Sequence, residues 1–376
     1  MAPAHELAGG FDHHGRRGQV IAFAGVTALA LLLAAPLQDG SSAGADVGSA
    51  APEPQPDPVL QPGEVARVAP DIVLRHADFD RYLGTVFARL PTGNAALQQL
   101  LSEALILQAS GQAGLAVDEA DIETALVALD EQARAATGGE KGVAESLGEG
   151  VSQDDLRAAV RLLVLHERIV RDELALGPEV PVEPRQLQQW LDTAVADAAL
   201  TITPLDDPQA AVWRGGVISK AAVGNRLRRM LPPEEVSGVL TEMIGVLLVQ
   251  REAARRGMTL TPADATEEIL HRNAALRTTP GAGSITYDQY LDSIEKRSLE
   301  EVLKSEKFAT EVLLRKITEK DWTEERARTY WEENREDYRA AGVTGEWDDV
   351  RTGVWRQLRQ RTYTAMFQES RIARRF

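Results

Sequence analysis

A hydrophobic pattern of helical period occurs twice in this chain, about 143 residues apart. Moved by 143, Leu97, Leu100, Leu101, Leu105, Ile106, Gly114, Val117 and Asp121 land on Leu240, Met243, Ile244, Leu248, Val249, Gly257, Leu260 and Asp264. Apolar falls on apolar, and the Gly and Asp are kept. The flanks follow with small shifts: Val73-Leu74 falls on Val217-Ile218 at 144, and Val182 and Trp190 fall on Trp322 and Tyr330 at 140. Order of pattern rather than identity carries the likeness, as it does in repeat architectures. Coincidence between short amphipathic stretches is the competing explanation. The expectation is a mainly α chain with two tandem helical units, 64–200 and 208–339, short extended segments, and a C-terminal helix over 346–376 that packs back.

Within the first copy, Ile72, Val73 and Leu74 read as a short extended run. Phe79, Leu83, Val86 and Phe87 then share one face of a helix that Pro91 and Gly93 end. A second helix carries Leu97 to Ile106 and is closed by Gly111 and Gly114, glycine being favoured just past a helix end. Asp118 opens a third helix with Ile122, Leu126 and Leu129 inward. Ser152 caps a fourth with Leu156, Val160, Leu163, Val164 and Ile169. The closing helix from Trp347 turns Val350, Val354, Trp355, Leu358, Met366 and Phe367 inward. It is also rich in arginine, which fits docking on an acidic remainder better than contact with an anionic surface.

The start of the chain has a different grammar. Arg16 and Arg17 precede an uncharged run from Val20 to Leu37, followed by small residues from Ser41 to Ala51, the order of an export signal. The run has the minimum length for a membrane span, so residues 1–45 read as either a cleaved signal peptide or an anchor through 20–37. Five prolines between Pro52 and Pro62 make 46–63 a linker of extended character. The expected location is the periplasm or cell envelope.

Composition removes several classes of chemistry. The net charge of −16 disfavours nucleic acid as a partner, and the absence of cysteine excludes disulfides, thiolate catalysis and Cys-based zinc sites. His76, His166 and His271 are isolated, and His166 beside Glu167 lacks the rest of a zinc-protease motif. Gly138-Gly139-Glu140-Lys141-Gly142 has neither the length nor the hydroxyl of a phosphate-binding loop. The carboxylate pairs Asp154-Asp155, Glu300-Glu301 and Asp348-Asp349 read as solvated helical faces. No catalytic, cofactor or metal residue is assigned.

Four segments carry a family resemblance. Ile72-Val73-Leu74-Arg75-His76-Ala77-Asp78-Phe79, and the helix Ala96 to Ala109 followed by Gly114 and Val117-Asp118-Glu119, resemble the amino-terminal chaperone domain of SurA, PrsA and related parvulin-type foldases. That domain is itself similar to the chaperone region of trigger factor. Thr323 to Asn334 resembles the segment that leads into the isomerase module of that family, and the helix from Trp347 resembles its closing helix. A parvulin module needs roughly 50 residues or more. Only about 192–209 and 339–345 are free where it would sit, and its signatures are absent. The resemblance therefore implies an exported holdase for unfolded envelope or secreted polypeptides, without proline isomerase activity. A tethered assembly protein with one specific partner is the alternative, and a peptidyl-prolyl isomerase ranks behind both. Phe87, Leu90, Met230 and Leu231, near loop ends, are the candidate client contacts, although apolar residues at helical spacing usually pack inward and core packing is the stronger reading of each.

Overall fold

The computed structural model describes residues 58–139, 141–147, 152–278, 285–295, 298–340 and 345–374. The expected signal or anchor, most of the Pro-rich linker, and His5, His13 and His14 lie outside these residues. Among the described residues, no helix is long and apolar enough to cross a membrane. Fifteen helices and two small three-stranded sheets among the described residues place the chain in the mainly α class.

The chain divides into two compact units, whose described parts are 101–198 and 58–100 with 199–374. These boundaries do not follow the expected 64–200 and 208–339. Residues 64–100, the opening of the first sequence copy, group with the second copy, and the cause is a helix pair described below.

The larger unit begins with a hairpin of β1 (Glu64–Val68) and β2 (Ile72–Arg75), which leads directly into α1 (His76–Val86). A second hairpin, β4 (Gln209–Trp213) and β5 (Gly216–Ser219), leads in the same way into α7 (Lys220–Met230). Each hairpin breaks register at one place on its first strand, Glu64/Ala66 and Gln209/Ala211. Each first strand takes a further antiparallel partner: β6 (Ile372–Arg374) on β1, and β3 (Thr201–Ile202) on β4. Helices α1 and α7 both have 11 residues, and the helices that follow, α2 (Pro91–Ala113) and α8 (Pro233–Arg255), both have 23.

Glycine decides how α1 meets α7. A Cβ on Gly84 would lie 2.0 Å from the Lys220 carbonyl oxygen, and one on Gly224 would lie 1.7 Å from that of Asp80. The two backbones therefore touch, burying Phe79, Leu83, Val223 and Leu227. This contact ties the first hairpin and helix to the second.

Around α8 the larger unit continues through α9 (Pro262–Thr278), α10 (Tyr287–Tyr290), a π turn (Leu291–Glu295), α11 (Leu299–Leu303) and α12 (Glu306–Asp321). Next come α13 (Glu324–Glu333), α14 (Arg335–Ala340) and α15 (Trp347–Gln368). Helix α15 does pack back, on α8, α12 and α13. Its Trp347, Val350, Val354 and Leu358 join Ala327, Trp331 and Tyr338 in one core cluster, while Tyr363 and Met366 lie on Val249, Ala253 and Ile317. The expected helix to 376 ends at Gln368, because Ile372–Arg374 adopts the strand conformation that the free side of β1 can hydrogen-bond.

The 101–198 unit holds the end of α2, then α3 (Glu119–Ala136), α4 (Val143–Leu147), α5 (Gln153–Glu173) and α6 (Pro184–Asp197). Gly114 at φ +66 ends α2. Asp118 and Asp121 form a reciprocal cap on α3, with bonds of 2.9 and 3.0 Å, and the Ser152 hydroxyl accepts from the Asp155 amide at the start of α5. Ile122, Leu129 and Ala133 pack on Val143, Leu156, Ala159 and Val160, the faces that the helical period marks.

Candidate functional site

The four candidate client residues do not meet. Gly84 lies against Lys220, and Asp80 lies against Gly224 and Arg228, so α1 and α7 run antiparallel. Phe87 and Leu90 follow the end of α1, whereas Met230 and Leu231 are at the opposite end of the pair, about 16 Å away for 11 residues at 1.5 Å each. Phe87 is 5% exposed and Leu231 7%, so both belong to the core. Met230 is half-buried. Leu90 alone is open, at 45%, with Val86 exposed one turn before it and Arg89 between them bound to Glu301 at 3.1 Å.

The sheet beside α7 shows apolar surface that the sequence reading passed over. Val212 and Val217 are cross-strand partners on β4 and β5, and both are exposed, Val217 to 57%. Thr201 continues the row on β3. The opposite face carries Ala211 and Ile218 into the core. Alternation within Val212-Trp213-Arg214-Gly215-Gly216-Val217-Ile218, around the Arg214-Gly215 turn, was the available signal.

The polar groups at the helix pair are committed to the fold. Lys220 is buried, and its ammonium donates to the carbonyl oxygens of Pro204 at 2.9 Å, Leu205 at 2.6 Å and Asp207. Burial holds its pKa below the usual lysine range. All three donors are used, which leaves none for a substrate. Asp80 is also buried and accepts from Arg228 at 2.9 and 3.3 Å and from Asn225 at 3.4 Å.

In the 101–198 unit, His166 is 8% exposed, with its ring 4.9 Å from that of Trp190 and its Nε2 without a hydrogen-bond partner among the described residues. Burial pushes its pKa down to about 4. The Trp190 indole donates to Glu173 at 2.9 Å. Among the described residues, no group of His, Asp and Glu could hold a metal ion. The adjacent carboxylates serve helix starts: Asp155 with Ser152, Glu301 with Ser298, and Asp349 with Glu346.

A cleft of about 400 Å³ opens in the larger unit between α9, α12 and α15, lined by His271, Arg315, Trp322, Arg351, Trp355 and Arg359. Its guanidinium groups differ in their surroundings. Arg315 is buried and bonded to Glu267, Glu268 and Glu319 at 3.1, 3.1 and 3.2 Å. Arg351 bonds Glu324 at 2.9 Å, and the same carboxylate accepts from the Trp347 indole at 3.0 Å. Arg359 is half-buried and has no partner among the described residues. The arginines of α15 are thus only partly docked on acidic neighbours.

No protein-family model, curated protein or solved structure matches this chain.

Proposed function

We propose that this chain is an exported, non-catalytic chaperone that holds unfolded or extended envelope or secreted polypeptides, of the kind that its resemblance to SurA-type foldases implies. The observation that supports this reading most is the exposed row Thr201, Val212 and Val217, apolar surface left open on a sheet whose other face is core. Leu90 and Val86 add a second exposed apolar spot. Each spot is small, and the net charge of −16 keeps the empty chaperone soluble. An extended client gains affinity by touching several such spots, whereas a folded protein presents few matching side chains.

Phe87 and Leu231 have no part in this reading because they are packed inside; Leu90 and Met230 remain as client contacts, joined by Val212 and Val217. Export through residues 1–45 and tethering by 46–63 belong to the same proposal. The test is suppression of aggregation of a chemically unfolded envelope protein by the full chain, with proline isomerisation followed in parallel. A single stoichiometric folded partner in a pull-down, with no suppression, would replace the chaperone with a specific assembly role.

A further inference from the structure

We infer that the cleft between α9, α12 and α15 is a peptide-binding site for a short acidic-aromatic segment, in which Arg359 takes a carboxylate and the indoles of Trp322 and Trp355 take the neighbouring aromatic side chain. The inference rests on the chaperone reading and names the kind of client segment this cleft selects.

Charge complementarity commits the cleft to this occupant. A partly desolvated guanidinium is costly unless its donors are bonded, and Arg315 and Arg351 in the same cleft both have carboxylate partners. Arg359 has none among the described residues, although the chain carries 57 Asp and Glu against 41 Lys and Arg. An arginine left open amid such an acid excess has its planar donors available for an incoming carboxylate, which it can take with two parallel hydrogen bonds. Trp322 and Trp355 supply apolar faces beside it, and Trp322 already stacks on the Arg326 guanidinium and meets Tyr330 edge-on at 5.5 Å, so its ring is held in place. The volume of about 400 Å³ suits a few side chains rather than a folded surface. Glu319 and Glu324 also line the cleft, but they are paired with Arg315 and Arg351, so Arg359 carries the charge left over and disfavours a basic segment.

The site is tested with the full chain and three fluorescein-labelled peptides in one Gly-Ser frame, carrying Asp-Phe, Lys-Phe or Asp-Ser at the centre, read by fluorescence anisotropy. The Asp-Phe peptide is expected to bind saturably and more tightly than the other two. Arg359→Glu should weaken it roughly tenfold or more, the worth of one charge-assisted pair, and should bring the Lys-Phe peptide up. Arg356→Glu, on an exposed position of the same helix, should change nothing. Arg359 has no partner to lose, so its substitution leaves the fold intact, which thermal melting checks. Equal affinity for the three peptides, or binding indifferent to Arg359→Glu, overturns the inference. Aggregation suppression that survives Arg359→Glu without any peptide binding removes this site and leaves the chaperone reading standing. Peptide binding without aggregation suppression does the reverse.

Discussion

Gly84 and Gly224 let α1 and α7 cross with backbone against backbone, each leaving room that a single methyl group would close. Through this contact the opening of the first sequence copy is built into the larger unit.

Gly224→Ala and Gly84→Ala should each destabilise the protein by about 3 kcal/mol or more, since the added carbon meets backbone that cannot rotate away. Gly238→Ala, on an exposed turn of α8 with nothing within 4 Å, should instead stabilise by roughly 0.5–1 kcal/mol through helix propensity. Urea unfolding of the three variants checks both signs.

Asp80→Ala removes the carboxylate that holds Arg228 and Asn225 across the same helix pair. A loss of about 1–3 kcal/mol is expected, because Arg228 can still turn part of its charge to water. Combined with Arg228→Ala the loss should be less than the sum of the two, which a double-mutant cycle measures.

His166 makes the 101–198 unit sensitive to acid. Its folded pKa, about 4, lies below the ordinary value of 6.5, so the unfolded chain takes up the proton first. Stability from this group is complete above about pH 6.5 and is lost as pH falls towards 4, by at most about 3 kcal/mol. Glu167 acts with the opposite sign: burial raises its pKa, so its contribution grows as pH falls. His166→Phe should flatten the acid limb of a stability curve followed by circular dichroism, and Glu167→Gln should steepen it.

Leu90→Ser and Val217→Ser should weaken aggregation suppression while shifting stability by no more than about 0.5 kcal/mol, because both side chains already face water. Phe87→Ser should cost about 3–5 kcal/mol, because the ring is core. Comparing suppression with melting temperature separates the two kinds of position.

Periodicity carried the helices well, and the caps at Asp118 and Ser152 stand where short polar residues open helices of apolar period. The strands β1, β4 and β6 were poorly legible. Ile372–Arg374 has three residues and no period, and it is a strand only because β1, some 300 positions earlier, offers a free edge. The grouping of residues 64–100 with 199–376 was hidden for a similar reason. Nothing local in Asp80-Arg81-Tyr82-Leu83-Gly84 says that Gly84 meets Lys220 rather than a neighbour in its own copy. That Phe87 and Leu231 are buried while Leu90 is open was hidden by the same measure, since helical spacing marks apolar positions without telling which end of a helix pair they will occupy or whether a neighbour will cover them. Val212 and Val217 went unmarked because the hairpin that exposes them is only eleven residues from Gln209 to Ser219 with its turn, too short for alternation to stand out. Arg359 looked like one arginine among several, and its lack of a partner emerges only when Arg315 and Arg351 are seen beside their carboxylates.

The central claim is binding of unfolded polypeptide without catalysis. The most direct measurement is light scattering from an unfolded outer-membrane or secreted protein diluted into buffer with the full chain at sub-equimolar to modest excess, with a prolyl peptide isomerisation assay on the same sample. Scattering should fall in proportion to added chain with isomerisation at the uncatalysed rate. Undiminished scattering, or isomerisation that accelerates with the chain, would contradict the account.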